Sequence, residues 1–233
     1  MAYQAIPPVS GGSSLTASLA LNRARSLLGS SIKVCLGTDF ESSAWYVTSV
    51  TGTGAVTIST TTDGGVATAT SGATGGGVAQ IHAAGNPSHV SNMTTKRWYH
   101  QARMKVTTAI DASAYVAVAL NPAAFGGVNC SSYMGTLGNV STANFAYELF
   151  NTSGVSITTG SLGVAVDTAY HLFEQWSDTT NIRMAVDGVT TVTIAVPGSF
   201  TGPTALATYC TNGATAAART MDIDRMFVCT EEP

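Results

Sequence analysis

The feature that most limits what this sequence can fold into is a series of short segments in which apolar and polar residues alternate. Such segments occur at 56–58, 104–110, 115–120, 145–150 and 155–158. Because successive side chains of a strand point to opposite faces of a sheet, each segment predicts a strand with one apolar face. Glycine-rich turn sequences, such as Asp63-Gly64-Gly65, separate them. Short strands joined in this way favour a sandwich or a barrel of about 200 residues.

The C-terminal third gives the clearest local pattern. Strands are predicted at His171–Trp176, Asn181–Val186, Val189–Val196 and Met221–Val228. Asp187-Gly188 separates the second strand from the third, and a type I′ turn needs positive φ at both of its central residues. The sequence therefore predicts a tight hairpin at Asp187-Gly188 within an antiparallel meander.

The N-terminal segment differs from the rest of the chain. Residues 1–12 show no periodicity, whereas Ser14–Leu28 has leucines at roughly helical spacing, with Ser14 as the expected N-cap and Gly29 as the stop. We therefore expect an arm with one short helix over residues 1–31 and a β-sandwich domain over residues 32–233.

The chain carries unusually little charge, and the charge is unevenly placed. Only 10% of residues are charged and the formal net charge is −3. Arg23, Arg25 and Lys33 precede the first acidic residue, so residues 1–33 carry +3 and the remainder carries −6. A broad nucleic-acid surface needs more Lys and Arg than this. A basic arm on an acidic body indicates a protein partner, the alternative being an arm that folds back on its own body.

Targeting signals and cysteine spacing give further expectations. No apolar run approaches the ~18 residues of a membrane span, and the N-terminus lacks the charged and apolar regions of a signal peptide. The four cysteines lie far apart, without the spacing of a zinc module: Cys35, Cys130, Cys210 and Cys229. Two disulfides, in any of the three connectivities that four cysteines allow, are one alternative. A reducing cytoplasm favours the other, in which all four cysteines are buried thiols.

Several segments together resemble a known family. Residues 170–174, 182–192 and 221–228 look like the second half of a concanavalin A-like (LamG-like) jelly roll. Residues 39–41 are similar to the first strand of that fold, and residues 97–105 to its middle region. The resemblance covers about residues 34–230 and implies an antiparallel jelly-roll sandwich. The family includes lectins, glucanases, adhesion modules and phage virion proteins, and the Gly/Ala/Thr/Ser-rich style with a Pro-Pro arm is most similar to the phage members.

No catalytic or cofactor site is predicted. Glucanases of this family carry Glu-x-Asp-x-Glu on one strand, and this sequence has no such run. Asp222 and Asp224 would share one face of the last strand, where we expect solvated or strand-edge charges, with a calcium site as the alternative. His82 and His89 could form a metal clip, but ordinary loop histidines are the expectation for His82, His89, His100 and His171. We therefore predict a non-enzymatic protein without cofactor or metal.

The candidate binding residues fall into two groups. The resemblance to phage members and the basic arm point to a docking segment for the major capsid protein or another virion protein, comprising Tyr3, Ile6, Pro7, Pro8, Leu15, Leu19, Arg23 and Arg25. Lectin-type sites combine an aromatic platform with polar side chains. Tyr133, which we expect in a loop within the Gly/Asn-rich stretch 126–139, is the candidate platform, with Asn129 and Asn139. Trp98 and Trp176 are expected to fill the core.

Together these observations predict a non-enzymatic virion structural protein, a capsid decoration or cement protein that docks through its arm. The alternative is a glycan- or receptor-binding module of a phage head fibre or tail fibre. We expect a homo-oligomer that is made in the host cytoplasm and resides in the virion, without nucleic-acid or membrane binding.

Overall fold

The computed structural model describes residues 13–38, 40, 46–60, 65–83, 95–106, 115–121, 132–151, 153, 155–200, 205–211 and 216–231. In this part of the chain one helix precedes strands that form two antiparallel sheets. The all-β, jelly-roll-like sandwich predicted from the alternating segments is confirmed. Among the described residues, no helix is long and apolar enough to cross a membrane.

Helix α1 spans Ser13–Leu28, so Ser14 lies inside the helix and the expectation that it is the N-cap is wrong. Sheet A contains eight strands: β1 (Ile32–Thr38), β3 (Ala55–Ser59), β4 (Val66–Thr70), β6 (Trp98–Val106), β11 (His171–Ser177), β12 (Asn181–Val186), β13 (Val189–Ala195) and β15 (Thr220–Glu231). Sheet B contains seven: β2 (Tyr46–Thr51), β5 (Val78–Ala83), β7 (Tyr115–Asn121), β8 (Ser132–Leu137), β9 (Asn144–Phe150), β10 (Ser156–Ala165) and β14 (Ala205–Thr211).

The strand order explains which strands lie in the middle of each sheet. Sheet A runs β13-β12-β11-β6-β15-β4-β3, and β1 pairs with the C-terminal half of β15, from Met226 to Glu231. Sheet B runs β10-β9-β8-β7-β14-β5-β2. Strand β15 pairs with β6 on one side and with β4 and β1 on the other. The last strand is therefore central, and the expectation that Asp222 and Asp224 are strand-edge charges is wrong.

The main core lies between the two sheets. Residues of β6 with even numbers, such as Trp98 and Met104, are buried in it, and Met134 and Phe145 meet them from sheet B. In strands such as β6 and β9, alternate residues thus face this core, as burial of apolar surface requires.

The hairpin at Asp187-Gly188 is confirmed. Its two central residues have φ angles of +52° and +80°, as a type I′ turn requires. The Asp187 carboxylate also accepts a hydrogen bond from the Leu172 backbone N–H at 2.8 Å, which ties the turn to β11. Strands β12 and β13 follow directly in antiparallel register.

Helix α1 packs on the outer face of sheet A and creates a second, smaller core. Ala20, Ala24 and Leu28 are buried and lie four residues apart, so they share one side of the helix. They pack with a group that includes Tyr99 and Trp176. Trp98 and Trp176 therefore fill two different cores on opposite faces of one sheet.

The cysteines differ from the favoured expectation. Cys229 is disulfide-bonded, and Cys35 lies directly opposite it in the antiparallel register of β1 and β15. Cys210 is a free, buried thiol. The expectation of four buried thiols is therefore wrong for Cys229, because spacing along the sequence does not show which cysteines neighbouring strands bring together. Cys130 lies outside the described residues.

Candidate functional site

The predicted docking residues of the N-terminal segment have different surroundings. Tyr3, Ile6, Pro7 and Pro8 lie outside the described residues, as does the Leu15 side chain. Leu19 is 58% exposed and Arg25 is exposed, although the Arg25 Nε donates to the Ile32 carbonyl at 3.0 Å. Arg23, in contrast, forms an ion pair with Glu174 on β11 of the sandwich. The helix is therefore held to the sandwich, and Leu19 is a large exposed apolar side chain in its described part.

Arg23 belongs to a polar network beneath the helix. Its Nε and Nη2 donate to the two oxygens of Glu174 at 2.7 and 3.2 Å, and the Tyr99 hydroxyl lies 2.8 Å from both Glu174 Oε1 and Gln101 Oε1. The bond to Glu174 raises the pKa of Arg23, and burial raises the pKa of Tyr99. All the charges in this network are compensated within the chain, which indicates a structural role.

The two aspartates of the last strand are also paired. Asp222 lies 3.0 Å from Lys105 Nζ, and Asp224 lies 2.9 Å from Arg103 Nη1, both across the β6–β15 ladder. Both cations also lie over the ring of Tyr170. Among the described residues, no group of three or more His, Cys, Asp or Glu side chains could hold a metal ion.

His171 bridges two carboxylates at one end of sheet A. Its Nδ1 lies 2.7 Å from Asp187 Oδ2 and its Nε2 lies 2.9 Å from Asp167 Oδ1. Burial lowers the pKa of His171, but the hydrogen bonds and charges of the two aspartates outweigh it and raise the pKa above its usual value. His171 is therefore a strand residue that clamps the hairpin, and His100 is a core residue. His82 lies in strand β5, so the expectation of loop histidines is wrong for these three, and His89 lies outside the described residues.

The outer face of sheet B carries a different arrangement. Tyr133 on β8 lies directly opposite Glu148 on β9, and Glu148 lies opposite Thr159 on β10. Met134 beside Tyr133, and Tyr147 and Leu149 on either side of Glu148, belong to the main core, so Tyr133 and Glu148 project from the other face. Directly opposed side chains of antiparallel strands have Cβ atoms about 4.5–5.5 Å apart. We call Tyr133, Glu148 and Phe150 the sheet B cluster.

Tyr133 lies on a strand, so its expected position in a loop is wrong. Its side chain is 7% exposed and packs edge-to-face with Phe150, at 5.5 Å between ring centroids. Asn139 is exposed in the turn that follows β8. Asn129 lies outside the described residues.

Glu148 is a functional candidate that the sequence pattern did not indicate. Its side chain is 5% exposed, and no described residue forms a hydrogen bond or an ion pair with it. It is also the only Lys, Arg, Asp or Glu in the seven strands of sheet B. A single acidic residue in an apolar alternating segment is the sequence signal that could have identified it.

This carboxylate is unusual because it lies on a largely buried residue and has no partner among the described residues. Buried charged groups in proteins are normally paired, because an unpaired buried ion has a large desolvation cost. Among the described residues the other buried acidic residue is Glu174, and its carboxylate is compensated by Arg23 and bound by Tyr99. Glu148 therefore has its acceptor oxygens available for a group that is not part of the described chain.

Comparisons with known proteins identify the fold. No protein-family model matches the chain, and no curated protein matches it. Among solved structures, the carbohydrate esterase of the Shiga toxin-encoding bacteriophage phi24B is 16% identical with a TM-score of 0.54, over 84% of this chain and 98% of that chain. The cellulose-induced protein Cip1 is 16% identical with a TM-score of 0.56, over 83% of this chain and 96% of that one.

The binding domain of botulinum neurotoxin serotype C1 is a further match. It is 11% identical with a TM-score of 0.56, and the match covers 81% of this chain but 44% of that chain. At these identities the likenesses establish a shared β-sandwich fold, and the function has to be argued from the site.

Proposed function

We propose that this protein is a glycan-binding β-sandwich module whose binding surface is the outer face of sheet B. The observation that carries the proposal is the buried carboxylate of Glu148 beside Tyr133, with no partner among the described residues. A carboxylate accepts hydrogen bonds from vicinal hydroxyls, and the packed Tyr133–Phe150 pair gives this part of the face an apolar character.

The neighbouring residues suit such a ligand. Thr159 and Ser161 on β10 are exposed and lie opposite Glu148 and Ala146 in the register. They add hydroxyl groups at the edge of the sheet B cluster, next to its aromatic and apolar centre. Small-molecule sites commonly combine such an apolar surface with a few placed polar groups.

The names of the structural neighbours are compatible with this proposal. One is a carbohydrate esterase, one is described as cellulose-induced, and botulinum neurotoxin type C is described as entering cells through two ganglioside molecules. We propose binding without turnover for the present chain, because glycoside hydrolysis uses two carboxylates and Glu148 stands alone among the charged residues of the described sheet B strands.

A glycan array tests the proposal directly. We expect the unaltered protein to bind a defined set of glycans, and Glu148→Gln to weaken binding at least about tenfold, the effect of losing hydrogen bonds to a charged group. Tyr133→Phe, which keeps the ring, should weaken binding less. Asp224→Asn is the matched control, since it removes one negative charge from the opposite surface of the sandwich. A folded protein that binds nothing on the array would refute the proposal.

A second candidate function is anchoring to a phage particle through the N-terminal segment. The observation that favours it is Leu19, a large apolar side chain that is 58% exposed on a helix otherwise held to the body. Both functions fit one protein that displays a glycan-binding face from a virion, and capsid decoration is the specific form that we propose for it.

Deletion of residues 2–12, combined with Leu19→Ser, tests the second candidate. These changes leave the buried side of α1 intact, so the sandwich should stay folded while co-sedimentation with the phage particles is lost. Unchanged occupancy of the particles would rule out anchoring by this segment.

A further inference from the structure

We infer that the sheet B cluster selects its glycan by charge, binding neutral sugars and amino sugars and rejecting those with carboxylate or sulfate groups. This inference rests on the proposed function and assigns a chemical class to its ligand. The geometry behind it is the single buried Glu148 carboxylate among seven strands that contain no Lys or Arg.

Apart from Glu148, the charged residues of the described strands all lie in sheet A. The cations of the described strands lie in sheet A, where Arg103, Lys105 and Arg183 are paired with aspartates. In sheet B, Glu148 has no cation of its own sheet beside it. An approaching ligand therefore meets uncompensated negative charge at this face.

Burial makes that charge discriminating. Glu148 as a whole is 5% exposed, and its carboxylate oxygens keep some contact with solvent, so a ligand can reach them; electrostatic interactions there are stronger than in open water because most of the surrounding water is excluded. An ionised carboxylate accepts hydrogen bonds and donates none, so the ligand has to supply the donors. Hydroxyl groups can do this, an ammonium group does it with a charge-assisted bond, and a second carboxylate or a sulfate is repelled.

The array separates these classes when it carries neutral, amino and acidic glycans together. A titration then uses three hexasaccharides with the same β-1,4-linked backbone: cellohexaose, the hexamer of glucosamine, and the hexamer of glucuronic acid. We expect the glucosamine hexamer to bind most tightly and the glucuronic acid hexamer at least about tenfold more weakly than cellohexaose, the equivalent of about 1.4 kcal/mol.

Variants of Glu148 show whether this residue is responsible. Glu148→Gln should bring the affinities for the neutral and acidic hexamers to within about threefold, whereas Glu148→Asp should keep the order. Asp224→Asn should leave the order unchanged, because Asp224 is paired with Arg103 on the other sheet. Circular dichroism establishes that each variant is folded.

The two proposals fail in different ways. Array hits that are mainly acidic, or a discrimination that survives in Glu148→Gln, would overturn the charge selection and leave glycan binding in place. An array and a titration in which no glycan of any class binds would overturn the proposed function, and the selection with it.

Discussion

Replacing Arg23 by alanine removes the cation that compensates a buried carboxylate beneath helix α1. Glu174 is 1% exposed, and Arg23, which is 38% exposed, donates two hydrogen bonds to it. Breaking a buried pair on one side costs about 3–5 kcal/mol. Because Arg23 is partly solvated and the Tyr99 hydroxyl stays 2.8 Å from Glu174, we expect a loss of about 2 kcal/mol in the free energy of unfolding.

The matched control is Arg25→Ala, the same change two residues further along the same helix. Arg25 makes one hydrogen bond to the Ile32 carbonyl, so its loss should cost about 0.5–1 kcal/mol. A loss of 2 kcal/mol corresponds to a Tm lowered by about 4–8 °C for a chain of this size. Urea denaturation followed by tryptophan fluorescence measures the difference, since Trp176 lies in the core under the helix.

The double variant Arg23→Ala/Glu174→Gln completes the cycle. Removing the stranded charge should recover part of the lost stability, with a coupling energy of about 1–2 kcal/mol between the two sites. If Arg23→Ala is as stable as Arg25→Ala, or if the changes at Arg23 and Glu174 are additive, then Arg23 does not compensate the Glu174 carboxylate.

Two further predictions concern the hairpin end of sheet A. The pKa of His171 is raised in the folded protein, so its contribution to stability is complete below about pH 6.5 and is lost as the pH rises through the folded pKa. The urea midpoints at about pH 6 and pH 8.5 should therefore differ more for the unaltered protein than for His171→Gln. An equal difference in the two proteins would contradict the role of His171 as a clamp. Gly188→Ala places a side chain at φ +80° in open space and should lower the free energy of unfolding by about 1–2 kcal/mol. Gly198→Ala is the control, because Gly198 also faces open space but has no positive φ, and it should leave stability unchanged. Equal thermal shifts for the two variants would show that backbone strain is not the cause.

Local signals explain why so much of the fold could be predicted. The Asp187-Gly188 turn and the alternating strands around it depend on residues close together in the sequence, and the structure confirms them. The helix ends at Leu28 as expected, because Gly29 adopts a φ of +94° and its N–H bonds back to the Arg25 carbonyl.

Features that depend on long-range pairing could not be read from the sequence. Tyr133 was expected in a loop because glycine and asparagine surround it, yet Gly135 lies inside β8. A Cβ there would lie 2.4 Å from the Val116 carbonyl oxygen, so the glycine permits a close strand contact instead of marking a turn. Trp98 and Trp176 likewise look equivalent in sequence, and only the docking of α1 separates their two cores.

In the candidate site, too, the local strand pattern could be predicted from the sequence and the long-range pairing could not. Glu148 and Tyr133 are far enough apart in sequence that their pairing follows only from the register of β8 and β9. The alternating pattern of residues 145–150 predicts the strand, but it does not show that the acidic residue has no partner among the described residues. Burial and pairing therefore had to come from the structure.

The most direct test of the central claim is an NMR titration of the isotopically labelled protein with the glycan that binds most tightly on the array. We expect the largest backbone amide shifts at Tyr133, Glu148 and their neighbours on β8 and β9, with few changes on the outer face of sheet A. Shifts concentrated around Asp222, Asp224 and Tyr170 on that other face would contradict the assignment of the binding surface to sheet B.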